Sequence, residues 1–202
     1  MQKKQILERF LLNANLENVF QKYINLIIDY NLHTNLVGKS TLVDPWSSHI
    51  LDCLQIFSFI KDKNASILDM GSGAGLPGNI LSIAGCKNVT LVDSNGKKIK
   101  FLKNANKEMG LSSKLILSRI ENMNNLKYDI VTSRALSKLT NLISYSQKFL
   151  KKNTVLIFLK GKTVNEEIKE ACIKWKFHIT QHQSLSDPRG RLIIIKNIKK
   201  ND

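Results

Sequence analysis

Two hydrophobic rhythms divide the chain, and the change between them falls near residue 64. Before it, apolar residues recur every three or four positions: Ile6, Leu7, Phe10 and Leu11, then Val19, Phe20, Tyr23, Ile24 and Ile27. That spacing keeps one face of a helix apolar and predicts helix over residues 5–31. The polar stretch NLHTNLVGKST follows. Asp44-Pro45 then offers a capping carboxylate and a first-turn proline for another helix. His49, Asp52 and Cys53 lie within one turn of it. The His49–Asp52 pair either ties that helix to a loop or forms part of a site.

From Ser66 the pattern alternates between short apolar runs and amphipathic segments. Strands are predicted near 66–70, 88–93, 114–118, 128–133 and 154–160, with helices at 77–85, 96–109, 120–123 and 137–150. Such alternation implies a parallel sheet with helices on both faces. Thr163 with Glu166 reads as a capping box for a last helix over 164–175. Two further strands, one from Phe177 through Ile179 to Leu185 and one over Leu192–Ile195, flank the turn SDPRGR, and so short a link makes them antiparallel. The tail Lys196–Asp202 is expected to fray. The organisation expected is a helical extension over 1–63 packed on an α/β core over 64–202, the whole a single compact unit.

Composition narrows the class. At 202 residues and 43% hydrophobic, the chain can bury one sizeable core. It shows no run of apolar residues long enough to span a bilayer and no secretory leader, so no membrane association and a cytoplasmic location are expected. Cys53, Cys86 and Cys172 are odd in number and widely spaced, which suggests neither a disulfide framework nor a metal site. The net charge of +15 favours a phosphate-rich partner. A chain weighted to Lys, Asn and Ile would also reach such a charge through A/T-biased coding alone. The five arginines, Arg9, Arg119, Arg134, Arg189 and Arg191, are more telling where Lys otherwise supplies the charge.

The densest chemistry lies in LDMGSGAGLPG, Leu68 to Gly78. A buried strand ends at Asp69, and Gly71, Gly73 and Gly75 then turn the chain toward a helix at Pro77. In an open α/β sheet this loop sits where ligands bind. The next strand ends in Asp93, placed to accept from both hydroxyls of a ribose. Gly73-x-Gly75-x-x-Gly78 satisfies a dinucleotide fingerprint, whereas Asp69-x-Gly71-x-Gly73-x-Gly75 is the pattern of S-adenosylmethionine (AdoMet) sites. Asp69 favours AdoMet, because a carboxylate helps beside an amino acid and a sulfonium and gains nothing beside a pyrophosphate. The terminal hairpin points the same way.

The end of the fourth strand, VTSRA, carries no D/N-P-P-Y cluster for amine methylation, and no cysteine is placed to attack a pyrimidine ring. An acceptor that is already nucleophilic remains, such as guanine N7, which needs alignment and desolvation but no general base. A ribose 2′-hydroxyl, with Lys160 assisting, is the harder alternative.

Eight blocks in order then resemble one family: Asn35-Leu36, HILD from His49, LDMGSGAGLPG, VDSNGKKIKFL from Val92, SRIE from Ser118, TSRA from Thr132, LKG from Leu159 and GRLIIIK from Gly190. The chain resembles the bacterial small-subunit rRNA guanine-N7 methyltransferases, the glucose-inhibited division protein B family, over nearly its whole length. Tyr30, Ser48 and Cys53 stand where that family usually has Trp, Arg and Ser. The resemblance implies a Rossmann-like class I AdoMet-dependent methyltransferase fold: a mostly parallel seven-stranded sheet closed by the antiparallel hairpin, with N-terminal helices. It implies AdoMet binding by Gly71, Leu76, Asp93, Ile120, Glu121 and Arg134, with Arg134 at the reactive end as the catalytic candidate. Lys97, Lys98, Lys160 and Arg191 match basic positions facing RNA. The implied substrate is a guanosine in the decoding-region loop of 16S rRNA or the small ribosomal subunit, with no metal and a monomeric enzyme. A small-molecule methyltransferase and a non-catalytic, AdoMet-sensing RNA-binding protein are the competing readings.

Overall fold

Strands form where the apolar runs lie. In the computed structural model, which describes residues 2–201, β1 (Ser66–Met70), β2 (Asn88–Asp93), β3 (Lys114–Leu117), β4 (Ile130–Arg134), β5 (Val155–Lys160), β6 (Trp175–Gln183) and β7 (Arg191–Lys200) make one sheet in the order β3-β2-β1-β4-β5-β7-β6. β1 to β5 are parallel, and β7 runs antiparallel to both β5 and β6. The strand order reverses at β1, which pairs β2 on one side and β4 on the other. The crevice at the carboxyl ends of β1 and β4 is therefore the switch point of the sheet.

The last strand corrects one expectation. Lys196–Lys200 does not fray: it continues β7, with Lys200 opposite Trp175 and Lys199 opposite Lys176. Its polar residues follow from their position at the edge of the core, where the backbone is paired and the lysines face water, while Ile198 packs against the core. Residue 202 lies outside the described residues.

The helices are α1 (Lys3–Arg9), α2 (Leu16–Asn31), α3 (Asp52–Phe57), α4 (Gly78–Ile83), α5 (Gly96–Met109), α6 (Leu139–Ser146) and α7 (Val164–Lys174). The helix expected over 5–31 is thus two. Leu11 adopts a left-handed φ of 54° between them, which no feature of a leucine announces. A π-helical turn over Trp46–Leu51 leads into α3, and the Asp44 carboxylate accepts from Ser47 N–H at 3.1 Å, as a cap there should. At α7 the expected pairing shifts by one residue: Thr163 Oγ1 donates to Glu167 rather than forming a box with Glu166.

One face of the sheet packs against α2, α3, α4 and α5 through Phe20, Ile24, Ile50, Leu54, Ile80 and Phe101. The other packs against α6 and α7 through Leu142, Ile143, Phe149 and Val164. The first of these cores takes residues from both sides of position 64. Tyr23 of α2 crosses that boundary with its fully buried hydroxyl, which donates to Ala74 O at 2.8 Å and accepts from Asn79 Nδ2 at 3.1 Å. The helical extension is thereby fastened to the underside of the glycine loop. Among the described residues no helix is long and apolar enough to cross a membrane.

Candidate active site

The glycine loop turns sharply because three of its residues take left-handed angles: φ is 70° at Gly71, 54° at Gly73 and 73° at Gly75. A Cβ on Gly71 would come within 2.6 Å of Leu136 Cδ1, so a side chain there would intrude between the loop and the segment after β4. Ser72, unremarked in the sequence, holds the turn together. Its Oγ donates to Asp69 O at 2.9 Å and accepts from Val92 N–H at 3.1 Å, pinning β1 to β2 where both end.

Asp69 does a different job from the one its position suggested. Its side chain is fully buried and turns toward α4, where Oδ2 accepts from Gly78 N–H at 3.0 Å. It does not line the cleft, so it supplies no charge beside a sulfonium. Oδ1 has no hydrogen-bond partner among the described residues, and burial raises the carboxyl to about 7 despite the Gly78 bond. Asp69 therefore anchors the first turn of α4 rather than meeting the ligand.

Above the loop lies a cleft of about 730 Å³. Gly71, Leu76, Asp93, Ile120, Glu121 and Arg134 all line it. Asp93 is nearly buried at the end of β2, where Oδ2 accepts from Gly73 N–H and Oδ1 from Asn95 N–H, each at 2.9 Å. Each carboxylate oxygen keeps a further lone pair for a hydroxyl. The Lys98 ammonium stands 3.9 Å from Asp93 Oδ2 and holds that charge in place. Leu36, part of the Asn35-Leu36 block, lines this cleft together with Val37, Gly38 and Thr41, which the sequence did not single out, all from the segment between α2 and the π-turn. AdoMet fits these residues: an acid at the end of β2 suits a ribose, the cleft is large enough for a nucleoside with an amino-acid arm, and Gly71 leaves clear the space that a Cβ would take.

Arg134 closes the far end and faces away from the glycine loop. Its Nη1 donates to Ser48 O at 2.9 Å and to Asp52 Oδ2 at 3.0 Å, and its Nη2 donates to His49 Nδ1 at 3.0 Å. Because the arginine is donor only, His49 Nδ1 accepts and its Nε2–H points at Thr41 Oγ1, 3.1 Å away; Thr41 in turn donates to Gly38 O at 2.6 Å. Burial, and then the charge of Arg134, lower His49 to about 4, so this chain rests on a neutral imidazole. The His49–Asp52 pair is thus the seat of Arg134, and through His49 the arginine also steadies the Thr41 side of the cleft.

A second cleft of about 540 Å³ adjoins the first and shares Thr41, Arg134 and Ala135 with it. Lys160, Arg189 and Arg191 line it. The four basic positions assigned to RNA are not equivalent. Lys97 is exposed on the first turn of α5, and Arg191 lines the second cleft with Nη1 held by Gly190 O at 2.8 Å. Lys98 faces Asp93 in the first cleft. Lys160, expected as an RNA contact, lines the second cleft but is held by groups of the protein. Its nearly buried ammonium pairs with Glu167 Oε2 at 2.6 Å and donates to Ser137 O at 2.8 Å, so it braces β5 against α7.

Sheet order, glycine loop and cleft together define a class I AdoMet-dependent methyltransferase. In keeping with this, magnesium protoporphyrin IX methyltransferase (ChlM) from Synechocystis PCC 6803, solved with bound SAM, matches with a TM-score of 0.63 over 87% of this chain and 97% of that one, at 13% identity. The family model described as rRNA small subunit methyltransferase G (GidB) matches residues 16–193. Ribosomal RNA small subunit methyltransferase G of Orientia tsutsugamushi (strain Boryong) is 37% identical over 197 residues, covering 96% of this chain and 98% of its own. The protein of the same name from Rickettsia prowazekii (strain Madrid E) is 38% identical over 87% of this chain and 91% of its own. The chain belongs to the rRNA small subunit methyltransferase G family.

Proposed function

We propose that this chain methylates N7 of a guanosine in the decoding-region loop of 16S rRNA, acting as a cytoplasmic monomer without a metal. The observation that carries the reading is the junction of the two clefts at Thr41, Arg134 and Ala135: one is shaped for a nucleoside cofactor, and the other is lined by Arg191, whose guanidinium is held only by backbone carbonyls and can meet a phosphate, beside Arg189, which is paired with Asp187. AdoMet would supply the methyl group of a sulfonium, which an attacking lone pair takes as the carbon–sulfur bond breaks and the thioether S-adenosyl-L-homocysteine leaves.

The residues then divide the work. Gly71, Leu76, Ile120 and Glu121 shape the cofactor cleft, and Asp93 accepts from the ribose. Arg134 fixes the end of β4 beside the reacting atoms, and Arg191 meets a phosphate. Guanine N7 carries a free lone pair and gains the methyl without losing a proton, so no base is required. The site agrees with this, because His49, the nearest imidazole, already has both ring nitrogens engaged.

The test is incubation with labelled AdoMet and either 30S subunits or 16S rRNA, followed by digestion to nucleosides. Label in 7-methylguanosine is expected. Label in another nucleoside, or none in RNA, overturns the reading.

A further inference from the structure

The end of the sheet opposite the clefts carries a basic groove that methyl transfer does not use. β5 and β6 begin there and β7 ends there, because β7 runs antiparallel to both. Strands of six residues place it roughly 20 Å from the cofactor loop. The groove encloses about 620 Å³. Lys151, Lys152, Lys176 and Lys199 line it, and half-buried Phe177 belongs to its apolar floor.

Its charge is unbalanced. Lys151 pairs with Asp129 at 2.6 Å, whereas Lys152, Lys176 and Lys199 are exposed and no carboxylate lines the groove. Some exposed lysines elsewhere stand beside acids, as in Lys4–Glu8, Lys22–Glu108 and Lys138–Glu170. His178 Nδ1 accepts from the Asn197 amide at 3.0 Å, which leaves its proton on Nε2 as a further donor at the groove.

We infer that this groove is a second RNA-docking surface, holding a single-stranded stretch of the substrate rRNA remote from the methylated base. Lys152, Lys176 and Lys199 meet successive phosphates, and Phe177 receives the face of a base. Cations that track a backbone beside an aromatic platform are the chemistry of sequence-tolerant single-strand binding. The inference rests on the substrate being RNA.

The test compares the wild type with K152Q/K176Q/K199Q and K152E/K176E/K199E, all at exposed positions. Affinity for 16S rRNA is measured across a salt series, KM and kcat by methyl transfer to 30S subunits or 16S rRNA, and AdoMet affinity by calorimetry as the check on folding. Three lost phosphate contacts on a single strand should make the log–log salt dependence shallower by about 2. RNA affinity should fall at least about tenfold at physiological salt, further for the glutamate variant, with kcat and AdoMet affinity unchanged. Wild-type affinity and slope in the glutamine variant, or a loss confined to kcat, overturns the docking surface. If the wild type transfers no methyl group to RNA, the proposed reaction fails, and the binding comparison still decides the groove.

Discussion

Arg134 Nη1 donates to Asp52 Oδ2 at 3.0 Å, joining residues 82 apart and fastening the end of β4 to the start of α3. Both side chains are more than four-fifths buried, with relative exposures of 19% and 17%. Removing one partner leaves the other charge largely desolvated. Arg134→Ala is therefore expected to lower the unfolding free energy by about 2–4 kcal/mol in urea denaturation. Asp52→Ala added to it should cost clearly less than the sum of the two single changes. Full additivity would mean that the pair is not a unit.

Two buried groups near the cleft give stability opposite pH dependences. The Asp69 carboxyl stands at about 7, above its unfolded value, so its contribution is full below about pH 4 and is lost as pH rises to 7. His49 at about 4 lies below its unfolded value, so its contribution is full above about pH 6.5 and is lost as pH falls to 4. In the wild type these slopes oppose each other between pH 4 and 6.5. Thermal melts of Asp69→Asn should lose the falling limb, and those of His49→Gln the rising one. Each effect is bounded by roughly 4 kcal/mol, since a tenfold difference in proton affinity between folded and unfolded chain is worth about 1.4 kcal/mol. Parallel pH curves for all three proteins would count against this assignment.

The floor of the first cleft can be probed without disturbing the second. Gly71→Val puts a branched side chain at a left-handed position facing Leu136, and loss of measurable AdoMet binding is expected in calorimetry. Asp93→Ala removes the acceptor for Gly73 N–H and Asn95 N–H. It should weaken AdoMet by about tenfold to a hundredfold, the scale of a hydrogen bond to a charged group. Near-wild-type affinity in both variants would move the cofactor elsewhere.

Lys160 and Arg191 should separate cleanly. Lys160→Ala strands the Glu167 carboxylate, which its hydrogen bonds hold below its ordinary value against the opposing effect of burial. The expected result is a lower melting temperature with RNA affinity little changed. Arg191→Ala is expected to weaken RNA binding about threefold to tenfold while leaving AdoMet affinity and stability intact. The reverse pattern would restore Lys160 to the RNA face.

What the chain discloses depends on whether a feature is local. β1 and β2 match the expected 66–70 and 88–93 because apolar runs bounded by turn residues specify strands by themselves. The hairpin was legible for the same reason, since the turn after Gln183 is too short to allow a parallel return. The break at Leu11 was not: Leu11 N–H and Leu12 N–H close the end of α1 on Glu8 O and Leu7 O, but the left-handed position of that turn carries leucine where glycine or asparagine would have marked it. Arg134, singled out in the sequence as a catalytic and cofactor-binding candidate, lines the cleft. Its partners Ser48, His49 and Asp52 lie more than 80 residues away, and spacing carries no trace of such contacts. The pairing of Lys160 was illegible for a related reason, since its acid comes from α7, and a lysine looks the same in sequence whether or not it has an internal partner.

The hydroxyl of Tyr23 gives the helical extension a stake in the cofactor loop. A bolt of that kind makes the two segments cooperative, because opening one uncovers polar groups of the other. The extension is then no interchangeable module. A drift in α2 that misplaces this ring would loosen Ala74 in the floor of the cofactor cleft, so a change in the extension would reach cofactor binding through a single hydrogen bond.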